Sequence, residues 1–114
     1  MTISRCRDII ISMRKSEQKD ELIDMELLEE VAPTLRALAH PLRLRIVDFL
    51  KDGERSVSEI VEATGRSQAL TSHQLGLLRA HGIIKSRREG NHVYYHIIDN
   101  AALGMLDCIR RNKL

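Results

Sequence analysis

Between Ser56 and Ile98 the apolar residues change their period from three-and-four to two, and few folds accommodate that change in so short a span. Ser56, with Glu59 three residues later, forms a capping box that starts a short helix. Gly65 ends that helix in the left-handed conformation that glycine tolerates. Ser67 caps a second helix, whose Leu70, Leu75, Leu77 and Leu78 are expected to point inward, and His81-Gly82 ends it. Two helices joined by a short glycine turn have helix–turn–helix spacing. Residues 82–88 and 92–98 then flank Glu89-Gly90-Asn91, which predicts a hairpin with a tight loop. An isolated hairpin cannot stabilise itself, so this one must lean on the helices before it.

The remaining segments are helical. Ile3, Cys6, Ile9, Ile10 and Met13 predict a short amphipathic N-terminal helix, followed by a polar break over residues 16–20. From 21 to 39, Leu22, Met25, Leu28, Val31, Ala32, Leu35 and Leu38 recur at three and four. Pro33 falls inside this stretch, where a missing amide donor costs about 3 kcal/mol, and predicts a kink or restart. Pro41 opens the next helix in its first turn, where the missing donor is harmless. Leu44, Val47, Phe49 and Leu50 form its buried side. After the hairpin, Ala102, Met105, Leu106 and Ile109 mark a last helix whose apolar stripe needs a partner, so a homodimer through the terminal helices is expected. The fold class is mainly α with a small β-hairpin: a winged helix–turn–helix in the order α-α-α-α-β-β-α with an extra N-terminal helical segment. Residues 1–20 are an extension and 21–114 the domain.

Composition narrows the function classes. A chain of 114 residues with 43% hydrophobic and 30% charged content is an ordinary globular domain with one modest core. No apolar run approaches the roughly 20 residues of a membrane span, and the N-terminus has no export signal, so the cytoplasm and no membrane partner are expected. Two cysteines are too few for a disulfide framework. The net charge of +2 is unevenly spread: residues 1–32 carry −3, residues 33–65 carry zero, and residues 66–98 carry +4. Arg66, Arg79, Lys85, Arg87 and Arg88 in that last segment face only Glu89, which points to a polyanion.

The second helix of the pair begins Ser67-Gln68-Ala69-Leu70-Thr71-Ser72-His73-Gln74, with no acidic residue before Glu89. The DNA major groove accepts one α-helix, and such a helix needs small, hydrogen-bonding residues near its N-terminus. Gln68 or Gln74 has the amide that pairs with adenine, while Thr71, Ser72 and His73 are further candidate contacts. Arg87, Arg88, Asn91 and His92 stand at the hairpin tip, in place to press against the backbone. No glycine-rich phosphate loop, nucleophile elbow or Cys-x-x-Cys pair suggests an enzyme, and no cofactor is expected. A winged helix that binds protein is the alternative, but it would show an apolar or acidic recognition face.

Leu38-Ala39-His40-Pro41-Leu42-Arg43-Leu44-Arg45-Ile46, Ser56-Val57-Ser58-Glu59-Ile60, residues 71–78 and residues 88–95 resemble the ArsR/SmtB family in order and spacing, within about residues 27–110. The resemblance implies a homodimeric repressor that binds a double-stranded operator, an imperfect palindrome, and often releases it on binding an effector. The family's metal sites are incomplete here. Ser56-Val57-Ser58 stands where one site has Cys-Val-Cys; Asp99 matches a second site, but Ala101 and Asn112 replace its histidines. Asp48 occupies the position of a cysteine in members that switch through a thiol pair. That leaves Cys6 and Cys108, which form either a thiol switch or soft-metal site or simply pack as small hydrophobes.

Overall fold

The computed structural model describes residues 22–112, so the expected N-terminal helix and Cys6 lie outside the described residues. Among the described residues there are five α-helices, α1 (Met25–Leu38), α2 (Pro41–Phe49), α3 (Val57–Thr64), α4 (Gln68–Ala80) and α5 (Asn100–Asn112), and a 3-10 turn, Leu50–Asp52, after α2. Three strands, β1 (Arg55–Ser56), β2 (Ile84–Glu89) and β3 (His92–Ile97), form an antiparallel sheet in the order β1-β3-β2. The hairpin and the helices expected within the described residues are there, and β1 is an addition. It pairs Arg55 with Tyr95 and Ser56 with Tyr94, and at two residues it is too short to leave an alternation in the sequence.

Local chemistry sets the boundaries. The His40 ring nitrogen Nδ1 accepts from the Leu42 amide at 3.2 Å and caps α2, with Pro41 in the first turn. At the start of α3 the Ser56 hydroxyl accepts from the Glu59 amide at 3.2 Å, and the Glu59 carboxylate accepts from the Ser56 amide at 2.9 Å. Gly65 closes α3 at φ 70°, and Ser67 caps α4 by accepting from the Leu70 amide at 3.1 Å. Gly90 stands at φ 63° in the two-residue connection between paired Glu89 and His92. Pro33 does not restart α1, which runs through it as one helix. The carbonyl it leaves without an intrahelical donor belongs to Glu29, an exposed residue whose backbone water can serve.

The core gathers Ile46, Val47 and Leu50 from α2 and its following turn, Ile60 from α3, Leu75 and Leu78 from α4, Ile83 just before the wing's first strand and Ile84 at its start. Ala102 and Leu106 of α5 close it. Two expectations are corrected here. Leu70 is 41% exposed rather than inward. Ala102 and Leu106 are used up inside the chain's own core, so of the C-terminal stripe Ile109 is the large residue left exposed. Asp99 fixes the start of α5 by accepting from the Ala101 amide at 2.9 Å. Among the described residues no helix is long and apolar enough to cross a membrane.

Candidate nucleic-acid interface

The α4 helix turns one face to the core and one to solvent. Leu75 and Leu78 are fully buried, and helical spacing puts Thr71 and Gln74 on the same side. Thr71 is completely buried, its hydroxyl 3.3 Å from that of Thr64 on α3. Gln74 is 6% exposed, and its side-chain oxygen accepts from Arg43 Nε at 2.7 Å. Neither stands on the outer face, which corrects their place among the base-contact candidates. Gln68, Ser72 and His73 are exposed and form that outer face.

In the hairpin, Arg87 and Arg88 part company. Arg87 donates from Nε and a terminal nitrogen to the two carboxylate oxygens of Glu54, each at 2.8 Å, and from the other terminal nitrogen to Glu89 at 2.8 Å. Its guanidinium also lies 4.8 Å from the Tyr94 ring centre. The hydrogen bonds to Glu54 and Glu89 raise the Arg87 pKa further, and the bond from Arg87 holds the Glu54 carboxyl below its ordinary value. A cation matched by two carboxylates offers little attraction to a phosphate, which corrects the reading of Arg87 as a backbone contact. The reason was out of reach of local patterns, because Glu54 lies 33 residues away. Arg88 is exposed and makes no ion pair with any described residue. Strand alternation puts it on the sheet face that carries its partner Val93 and Tyr95, opposite the face of Arg87.

Between α4 and the wing runs a cleft of about 340 Å³. Ser58 at the start of α3, Gln68 and Ser72 of α4, and Asn91 and His92 of the wing tip line it, with Tyr95 among the residues at its wall. The side chains of Ser58, Gln68, Ser72 and Asn91 make no hydrogen bond to any described residue. The cleft therefore presents uncharged donors and acceptors that no described residue uses. Sequence reasoning brought together Gln68, Ser72, Asn91 and His92 but missed Ser58 as a neighbour. It also missed Arg43 and Glu54, whose partners are distant in the chain.

Among the described residues no group of three or more histidine, cysteine, aspartate or glutamate side chains could hold a metal ion. Asp99 is occupied by the α5 start and by a 3.4 Å contact with the Thr34 hydroxyl. Cys108 is 2% exposed on α5, receives the Asn112 side-chain amide at 3.3 Å, and is not a free thiol.

A capped helix pair with a polar outer face, and a hairpin set beside that face, define a winged helix–turn–helix of the DNA-binding transcriptional regulators. The chain belongs to the arsR family of bacterial regulatory proteins, whose pattern it matches over residues 40–86. It is 38% identical over 85 residues to the transcriptional regulator NmtR of Mycobacterium tuberculosis, covering 75% of this chain and 71% of that one. It is likewise 38% identical over 87 residues to the biofilm growth-associated repressor of Xylella fastidiosa, covering 75% and 76%. A solved homodimeric winged helix–turn–helix DNA-binding domain from Mycobacterium bovis superposes with a TM-score of 0.65 at 34% identity, covering 81% of this chain and 87% of that one.

Proposed function

We propose that this regulator is a cytoplasmic, non-catalytic repressor that binds an imperfectly palindromic operator as a homodimer. One observation carries the DNA reading: the outward polar side chains Gln68, Ser72 and Asn91 of α4 and the wing tip face a common cleft and have no hydrogen-bond partner among the described residues. Gln68, Ser72 and His73 read the groove, while Arg88, Asn91 and His92 meet the backbone. The repressor action follows the named role of the Xylella fastidiosa relative, and the two-fold assembly follows the homodimeric Mycobacterium bovis domain. The test is enrichment of duplexes from a random pool, followed by binding of Gln68→Ala and Ser72→Ala variants. Each should lose about 1–3 kcal/mol of discrimination at its own base pair. A protein that enriches no duplex even at low salt supports the protein-interaction alternative instead.

Cys6 and Cys108 are the proposed thiol switch. Cys108 is buried on a helix expected at the dimer interface, so a change in its bonding state would be felt in the packing there. Oxidant added to fully reduced protein should weaken operator binding by the parent and leave Cys108→Ser unaffected. An equal response from both assigns the cysteines to packing alone.

A further inference from the structure

We propose that Arg43 is a positioning residue that fixes the recognition helix α4 against the end of α1, the helix whose exposed Leu28 and Leu35 we assign to the dimer contact, and thereby sets the spacing of the two half-sites the dimer can bind. The inference rests on the homodimeric DNA-binding reading and adds to it how the two functions are joined. Arg43 lies in the first turns of α2, half-buried between the other two helices. One terminal nitrogen of its guanidinium donates to the Ala37 carbonyl at 2.8 Å, and its Nε donates to the Gln74 side-chain oxygen at 2.7 Å. Ala37 sits in the last turn of α1, where carbonyls have no intrahelical donor. The guanidinium thus serves as the cap of α1 and, with the same rigid plane, as the only hydrogen-bonding partner of the Gln74 side chain among the described residues. No described carboxylate pairs with Arg43. Its charge is met by neutral amide oxygens on two helices, an arrangement that a flexible lysine cannot reproduce because it lacks two donors at a fixed angle.

The position of Gln74 gives this strut its consequence. It belongs to the buried face of α4, directly behind the exposed Ser72 and His73. Two recognition helices in a dimer must enter grooves about 34–36 Å apart, so a small rotation of each is doubled between half-sites. A polar strut in place of another leucine specifies one orientation by direction as well as by contact. The structure contains no other side-chain hydrogen bond between α4 and either α1 or α2 among the described residues.

The experiment uses the full chain and the duplex that the parent protein enriches from a random pool. Companion duplexes carry one base pair more or fewer between the half-sites, or one half-site alone. Arg43→Gln and Gln74→Leu should weaken binding to the two-site duplex by about tenfold, change single-site binding by less than about threefold, and bind all spacings alike. Gln74→Glu still accepts from Arg43, so it should keep the parental spacing preference even where its charge weakens binding to every duplex. Melting curves identify any variant that fails to fold, and Gln74→Leu, which preserves side-chain volume, decides the matter if Arg43→Gln does not. Retention of the parental spacing preference by Gln74→Leu would overturn the inference, as would equal losses on one-site and two-site duplexes. If the parent protein enriches no duplex, the DNA reading falls, and this inference with it.

Discussion

Successive side chains of a strand point to opposite faces, and at Arg87 and Arg88 that alternation separates two arginines that look equivalent in sequence. Arg87 is enclosed by Glu54 and Glu89, while Arg88 on the cleft side has no carboxylate partner among the described residues. Replacing Arg88 with alanine should therefore reduce the slope of log affinity against log salt by about one unit. Its folding stability should stay within about 0.5 kcal/mol of the parent, as for an exposed side chain with no hydrogen bond or ion pair to a described residue. A salt titration of binding and a denaturant melt check both halves; an unchanged slope would remove Arg88 from the interface. The inward turn of Thr71 and Gln74 was legible in principle, since Leu75 and Leu78 fix the buried face and residues 71 and 74 share it. Their polarity hid it, because a threonine paired with Thr64 and a glutamine paired with Arg43 satisfy their hydrogen bonds out of sight of water.

Among the elements, the wing depends on a staple from outside the hairpin. Glu54 precedes β1 and holds Arg87 of β2 across the Tyr94 ring of β3, so one ion pair spans all three strands. The folded protein holds the Glu54 carboxyl below its ordinary value near 4.5, so the staple stabilises the wing above that pH and is lost as pH falls through the lowered value. Melting temperatures of the parent should fall across that acidic window more steeply than those of Glu54→Gln. The same variant should bind every duplex more tightly at low salt, because it frees part of the charge on Arg87; weaker binding would contradict the staple's role. The helices, their caps and the hairpin were readable because each is written in residues three or four apart or in strict alternation. The strand β1 was not readable, since two residues carry no period and its pairing is with Tyr94 and Tyr95. Continuity of α1 through Pro33 also escaped the pattern, because the penalty depends on whether Glu29 is open to water.

For the molecule as a whole, most of the exposed large apolar side chains among the described residues lie on α1 and the segment before it, with Leu70 and Ile98 exposed elsewhere. Leu22, Met25, Leu28 and Leu35 are exposed, at 94%, 64%, 41% and 41%, and Ile109 of α5 joins them at 40%. A homodimer through these helices should raise the melting temperature with protein concentration, and sedimentation at micromolar concentration should give twice the chain mass. Leu28→Glu should shift sedimentation towards the monomer and weaken binding to a two-site duplex more than to a single site; a parent protein that sediments only as monomer would refute this assembly. The sheet adds a consequence in time. The strand β1, just ahead of the helix–turn–helix, pairs with β3, which follows the recognition helix in the chain. The intervening segment is therefore clasped at both ends, and during synthesis the clasp cannot close until Tyr95 has left the ribosome. A chain cut short within the wing keeps the packing of α4 on α2 and α3 but lacks the clasp, so its β1 segment is left without the pairing to Tyr94 and Tyr95.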